Sequence, residues 1–350
     1  MNALDGGDSE RLELALRELD ALCSSDLSRF EKSKGREMLE SIGIALLLAL
    51  ILRAFVIEAF QIPSGSMEPT LLPGDRLFVS KFSYGVRLPL TRSWPLRWGE
   101  LRRGDVVVFM FPVDEVRTQV KLGQIGMRVE QYRRTHGALP SELGALVEPG
   151  QLYAVPSEML TDAWGTPFGW EPEAAEGQRL LSAGPDRVFG TTDDIDFANS
   201  AFQNGNFACV DPESLDRSKD YIKRVIALPG DRVRMQNGQF LLNDEPIERR
   251  DVGPIVGLTR PGGPRYVAEE HLPDGRGWSI WHAGLGLDFP ETVIREGHFL
   301  AVGDNRDHSS DSRCWGQVPM DNLKGRALFL FFSSGHGDGV RWRRIFNAVR

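Results

Sequence analysis

Two hydroxyls stand one residue apart in Pro63-Ser64-Gly65-Ser66-Met67-Glu68-Pro69, where two prolines and a glycine prescribe a tight turn. A serine hydroxyl is a weak nucleophile until a base takes its proton, so the turn acquires chemistry only with a base from elsewhere in the chain. Two residues are candidates. His308, in GDNRDHSSDSRCWG (303–316), stands among acids and would complete a Ser-His-Asp arrangement. Lys223, in DYIKRVIALPGDRV (220–233), belongs to a run that alternates like a strand, with Tyr221, Lys223 and Val225 on one face and Ile222, Arg224 and Ile226 on the other. Enclosed on such a face, the lysine would lose hydration of its charged form. Its pKa would fall, and it would serve as a general base near neutral pH. Asp304, Asp307 and Asp311 raise the alternative of a metal site, but the arginines between them favour an ion-pair network.

The elements around the turn follow from composition. Immediately before it, SIGIALLLALILRAFVIEAF (41–60) is apolar apart from Arg53 and Glu58 and would extend about 30 Å as a helix, one hydrocarbon core. About forty residues precede it, too many for a cleaved signal peptide, so a retained single span over 38–60 is expected. Arg29, Lys32, Lys34 and Arg36 ahead of the span favour an inside N-terminus, although Arg76, Lys81 and Arg87 behind it oppose that bias. Residues 1–37 carry leucines at helical spacing and are expected to form an amphipathic cytoplasmic helix. No comparable apolar run follows, and RALFLFFSS (326–334) reads as a strand, which puts everything after residue 60 on one side of the membrane. A net charge of −8, with no basic face interleaved with aromatics, argues against a nucleic-acid partner. Cys23, Cys209 and Cys314 form no CxxC pair and no zinc spacing with histidine; Cys209 and Cys314 can pair if both face an oxidising compartment.

Four segments, IPSGSMEPTLLPGD, RGDVVVF (103–109), YIKRVIALPGD (221–231) and GDNRDHSSDSR (303–313), occur in that order behind one apolar span. In this ordered set the chain resembles the type I signal peptidases, membrane-bound Ser-Lys proteases that remove signal peptides from exported preproteins. The resemblance covers 38–115 and about 211–350, as far as RWRRIF. It implies a mainly β, antiparallel catalytic fold behind one N-terminal transmembrane helix. Ser66 then matches the nucleophile and Lys223 the general base. Ser64 matches a hydroxyl that, with the Ser66 N–H, stabilises the oxyanion. Ser309 matches a serine that orients the lysine, and Asp311 and Arg313 match a supporting ion pair. Ile62 and Ile222 would line shallow apolar pockets, with Met67 and Leu71 completing the surface, so that small residues in an Ala-x-Ala-like site are preferred. The resemblance implies no cofactor for catalysis and makes His308 incidental. Its implied setting is a bacterial inner membrane, crossed once, with the catalytic domain on the periplasmic side and membrane-inserted preproteins and lipid as partners.

The spacing departs from that family in one place. RGDVVVFMFPVDE should run shortly into DPESLDRSKDYIKR, yet about a hundred residues intervene. Within them EVRTQVKLGQIGMRVEQYRRTHGALP reads as a helix, followed by DAWGTPF and SAGPDRVFGTTDDI. This order resembles the periplasmic domain of type II secretion major pseudopilins, a small α/β fold. That second resemblance implies Ca²⁺ bound in the last loop by Asp186, Asp193, Asp194 and Asp196, and contact with secretion machinery. The insert lacks the apolar half-helix on which pilin assembly depends, so filaments are not expected. The organisation read from sequence is therefore 1–37 cytoplasmic, 38–60 transmembrane, 61–115 with 210–350 catalytic, and 116–209 inserted. Two rivals remain: a self-cleaving Ser-Lys repressor-type protease, opposed by the span and by GDNRDHSSDSR, and a non-catalytic calcium-dependent secretion scaffold. A relic of the second kind would have no reason to keep Ser66, Lys223 and Ser309 together.

Overall fold

The structure, a computed structural model, describes residues 6–26, 33–87, 94–174, 177–199, 216, 218–255, 265–284, 288–335 and 339–350. It divides into two units, Met1–Ala54 and Phe55–Arg350. In the first, helix α1 (Gly6–Asp26) leaves Leu12, Leu16 and Leu19 exposed. Helix α2 (Lys34–Ile51) starts at Ser33, whose hydroxyl accepts the Arg36 N–H at 3.4 Å. Within the helical run Lys34–Val56 an 18-residue window has a mean hydropathy of 2.2 and none of it is buried, so the run is long and apolar enough to cross a membrane.

The helix does not continue to residue 60. It stops at Val56, and Ile57–Gln61 forms strand β1, which pairs antiparallel with β2 (Asp75–Ser80). Alternation explains the switch: Phe60 packs on the apolar cluster of Leu77 and Val79, and Glu58 forms an ion pair with Lys81 at 3.0 Å.

The second unit is built on an eight-stranded sheet of β1, β2, β3 (Val106–Met110), β4 (Asp220–Ala227), β5 (His298–Val302), β6 (Val318–Pro319), β7 (Leu323–Gly335) and β8 (Gly339–Val340). The strands lie in the order β1-β2-β7-β3-β4-β5-β6, with β8 paired to β7. The apolar stretch 326–334 is thus the middle of β7. Strand β4 contributes to three apolar clusters. Val225 packs with Phe109, Phe299 and Trp315; Ile226 and Ala227 with Val233, Phe240 and Ile280; and Ile222 with Leu77, Val108 and Ala327. Lys223 is carried into this interior and is 3% exposed.

Helix α3 (Val113–His136) follows β3 directly and ends where Gly137 takes a φ of 76°. Its first turns put Val113, Val116 and Val120 into the cluster of Phe109 and Trp315. Its later turns put Leu122, Ile125 and Val129 into a fourth cluster with Tyr153, Phe168, Leu180 and Ile195. A three-stranded sheet of Gly169–Ala174, Gly177–Ser182 and Ile195–Asp196 covers that fourth cluster. A boundary at 115/116 therefore falls inside a helix that serves both cores. Cys314 is disulfide-bonded; its expected partner, Cys209, lies outside the described residues.

Two buried arginines in this unit are each matched by a buried carboxylate. Arg224, fully enclosed, donates to Asp304 from Nε to Oδ1 at 2.8 Å and from Nη2 to Oδ2 at 2.7 Å. Arg306 donates to Glu270 at 2.8 and 2.5 Å. Removing one partner of such a pair leaves the other charge desolvated and uncompensated. Asp304→Ala is expected to lower unfolding stability by about 3–5 kcal/mol, measured by denaturant unfolding in detergent. A loss below about 1 kcal/mol, the range of an exposed pair, would contradict the burial.

Candidate active site

The Ser64–Ser66 turn is the loop of the β1–β2 hairpin. Its neck is closed by the Ile62 N–H to Asp75 O at 2.8 Å and the Gly74 N–H to Ile62 O at 2.9 Å. Asn305 grips the turn from the other side, its backbone N–H donating to Ser66 O at 3.1 Å and its Nδ2 to Gly65 O at 2.9 Å and Glu68 Oε2 at 3.2 Å. Gly65 and Gly303 are close-approach glycines. A Cβ on Gly65 would stand 2.8 Å from the Glu68 carboxylate, and one on Gly303 would stand 2.1 Å from Ser309 Oγ and 2.5 Å from Ser66 O.

Lys223 Nζ donates to Ser66 Oγ at 2.6 Å, joining residues 157 positions apart. Burial pushes the lysine down from 10.5 to about 8. Asp311 and Asp304 pull against that fall, and Arg313 adds to it. In its neutral form the amine offers a lone pair to the serine proton across the same contact. Ser64 Oγ lies 3.5 Å from Ser66 Oγ on the exposed side of the turn. All three line a cleft of about 610 Å³ with Pro63, Tyr221 and Ile222.

Asp311 and Arg313 form the expected ion pair, Nε to Oδ1 at 2.9 Å and Nη2 to Oδ2 at 2.8 Å. Burial alone would raise the Asp311 pKa, but Arg313 and the Gly303 N–H, which donates at 2.9 Å, hold it below the usual carboxylate value. Ser309 lies beside Gly303 and Asp311. Its hydroxyl oxygen is enclosed against Gly303 and forms no well-shaped hydrogen bond, although it lies near enough to Asp311 to favour the charged carboxylate.

Of the four residues expected to line substrate pockets, Ile222 lines the cleft. Ile62, Met67 and Leu71 are almost fully buried beneath the turn in the cluster of Leu77 and Val108, supporting it from below. His308 lines the cleft as well. The expected calcium ligands do not converge. Asp186 accepts the Val188 N–H, Asp193 the Asp186 N–H, Asp194 the Gly190 N–H and Asp196 the Ala198 N–H, and Asp196 also pairs with Arg179 at 3.2 Å. Their carboxylates are turned onto their own loop, and no group of three or more ligating side chains forms among the described residues.

Several supports escaped the sequence reading because their partners are distant. Asn305 and the Arg224–Asp304 pair are two; the end of the chain supplies a third. Arg344 Nη2 donates to Asp75 Oδ2 at 2.6 Å and to Thr70 O at 2.9 Å, Arg341 Nη1 to Pro73 O at 3.1 Å, and Arg224 Nη2 to Arg350 O at 3.0 Å. The only signal for this clamp was the position of RWRRIF at the end of the resemblance.

Residues 35–130 and 171–332 match the model of the signal peptidase family, peptidase S26. The chain is similar to a signal peptidase I of Pseudomonas aeruginosa, 40% identical over 316 residues that cover 82% of this chain and 69% of that protein. It is also similar to one of Haemophilus influenzae, 28% identical over 323 residues covering 91% and 77%, respectively.

Because Asp311 favours the lysine's charged form, Asp311→Asn is expected to move the Lys223 pKa further below about 8. A ¹⁵Nζ chemical-shift titration of labelled protein measures this; an upward shift would contradict the assigned electrostatics.

Proposed function

The chain belongs to the signal peptidase family, peptidase S26, and on that premise we propose that Ser66 is its nucleophile and Lys223 the general base. The protein is a serine endopeptidase that cleaves signal peptides from preproteins. The observation that carries the assignment is the 2.6 Å contact between a serine on a hairpin turn and a lysine enclosed enough to titrate near 8. Neutral Lys223 accepts the Ser66 proton as Oγ attacks the scissile carbonyl, and the resulting ammonium returns a proton to the leaving amine. Ser64, beside Ser66 in the cleft, donates to the developing oxyanion together with the Ser66 N–H.

Strand pairing supports an extended substrate. Asp220–Lys223 pair with β3 on one side, whereas β5 pairs with Arg224, Val225 and Ala227 further along, so the cleft end of β4 keeps an edge open to a peptide among the described residues. Ile222 on that strand gives the substrate a small apolar contact, in keeping with an Ala-x-Ala-like site. The helix Lys34–Val56 anchors the enzyme in the membrane that its preproteins enter, with the catalytic unit on the periplasmic side. The inserted segment is a pseudopilin-like module; a long helix followed by a three-stranded antiparallel sheet around its own core supports that reading.

Ser66→Ala and Lys223→Met are each expected to abolish cleavage of a preprotein with an Ala-x-Ala site while leaving the fold intact. Processing by either purified variant refutes the dyad. Ser64→Ala is expected to slow turnover by about 100- to 1000-fold, the cost of one oxyanion donor; an unchanged rate removes it from that role. Since the lysine works only when neutral, turnover should rise with pH through about 8 and level off above it. A rate that is flat from pH 6 to 9 would exclude Lys223 as the base.

A further inference from the structure

The cleft that holds Ser66 and Lys223 has an uneven charge. Among its lining residues the one carboxylate is Asp220, and Lys324 neutralises it at 2.6 Å. Lys219 and His308 also line it, both exposed, and Lys223 lies at its floor. Asp216, the acid whose charge Lys219 supports, already accepts the Ser218 N–H at 2.8 Å and the Ser218 hydroxyl at 2.7 Å. On the His308 side, Asp307 accepts the Ala283 N–H, and Asp311 is taken up by Arg313. The Lys219 ammonium forms no hydrogen bond or close ion pair among the described residues and feels Asp216 only through space, so the cleft presents an exposed cation that no described carboxylate holds in contact.

Its place along the strand is fixed. The Lys219 carbonyl accepts the Phe111 N–H at 3.2 Å, just before β4 begins, and Lys223 lies four residues further on. At about 3.3 Å per residue the two α-carbons are roughly 13 Å apart along the strand. An extended peptide beside that strand has the same rise, so Lys219 meets a substrate residue about four positions from the bond at Lys223 and Ser66. From this geometry we propose that Lys219 is a specificity-determining residue that favours preproteins with an acidic side chain about four residues from the scissile bond. The inference rests on the protease reading above.

The test uses the full-length enzyme in detergent and preproteins with one Ala-x-Ala site, with Ala, Glu or Lys placed singly at positions two to five residues away on each side. Substrates compete in pairs, so each variant yields a ratio of kcat/KM in which any common loss cancels. Wild type is expected to prefer Glu over Lys at one position near the fourth by about two- to five-fold, the range of an exposed charge pair. Lys219→Arg should keep that preference, Lys219→Ala should erase it and Lys219→Glu should reverse it. Equal cleavage of the Glu and Lys substrates by wild type at every position, or a Glu preference that survives Lys219→Glu, overturns the proposal. Cleavage of the all-alanine substrate reports the dyad separately, so an intact rate there with no charge preference overturns the Lys219 inference alone.

Discussion

Enclosing a lysine ammonium in protein removes hydration worth several kcal/mol, and the fold around Lys223 is arranged so that this loss lowers a pKa instead of unfolding a sheet. Holding the group at about 8 rather than 10.5 disfavours its charged form by roughly 3 kcal/mol. One or two enclosed aliphatic side chains, at about 1.5–3 kcal/mol each, offset that. Strand β4 supplies more than two, because Ile222, Val225 and Ile226 reach into three separate apolar clusters. The lysine can be buried because its own strand is the seam where those clusters meet.

The rest of the site keeps that buried amine from acquiring a permanent partner. The two carboxylates that act on the lysine are committed elsewhere: Asp304 to Arg224 and Thr70, and Asp311 to Arg313 and the Gly303 N–H. A free carboxylate beside Lys223 would hold it charged and inactive as a base. The alternating acids and arginines of 303–313 therefore place negative charge near the lysine, which moderates its pKa, while denying it a direct ion pair.

How much of this was legible in the chain depended on range. The turn at Ser66 and the alternating strand at Lys223 are legible in their own short segments, whereas their roles and the Asp311–Arg313 pair are legible only through the family resemblance. Arg224–Asp304, Asn305–Ser66 and Arg344–Asp75 join residues 80 to 269 positions apart, and no local pattern announces them. Apolar residues beside the Ser66 turn look alike in sequence whether they face substrate or core; Ile222 lines the cleft, while Ile62, Met67 and Leu71 pack beneath the turn. Residues 57–60 look like part of the helix because an apolar strand entering a sheet shares the composition of a membrane span, and a calcium role for Asp186, Asp193, Asp194 and Asp196 rests on the pseudopilin resemblance alone, since carboxylates that accept from their own loop's amides have the same composition.

The C-terminal clamp has a consequence in time. A chain emerges from the ribosome N-terminus first, so the nucleophile at 66 is made long before the arginines at 341 and 344 that hold its loop through Asp75, Thr70 and Pro73. At about 5–20 residues per second the interval from Lys223 to Arg344 is roughly 6 to 24 s. During it Ser66 and Lys223 are both present, but the hairpin loop that carries Ser66 lacks the arginines that tie it to Asp75, Thr70 and Pro73. The loop that carries Ser66 is therefore among the parts of this fold whose full support is completed late, because residues made early are held by residues made more than two hundred and fifty positions later.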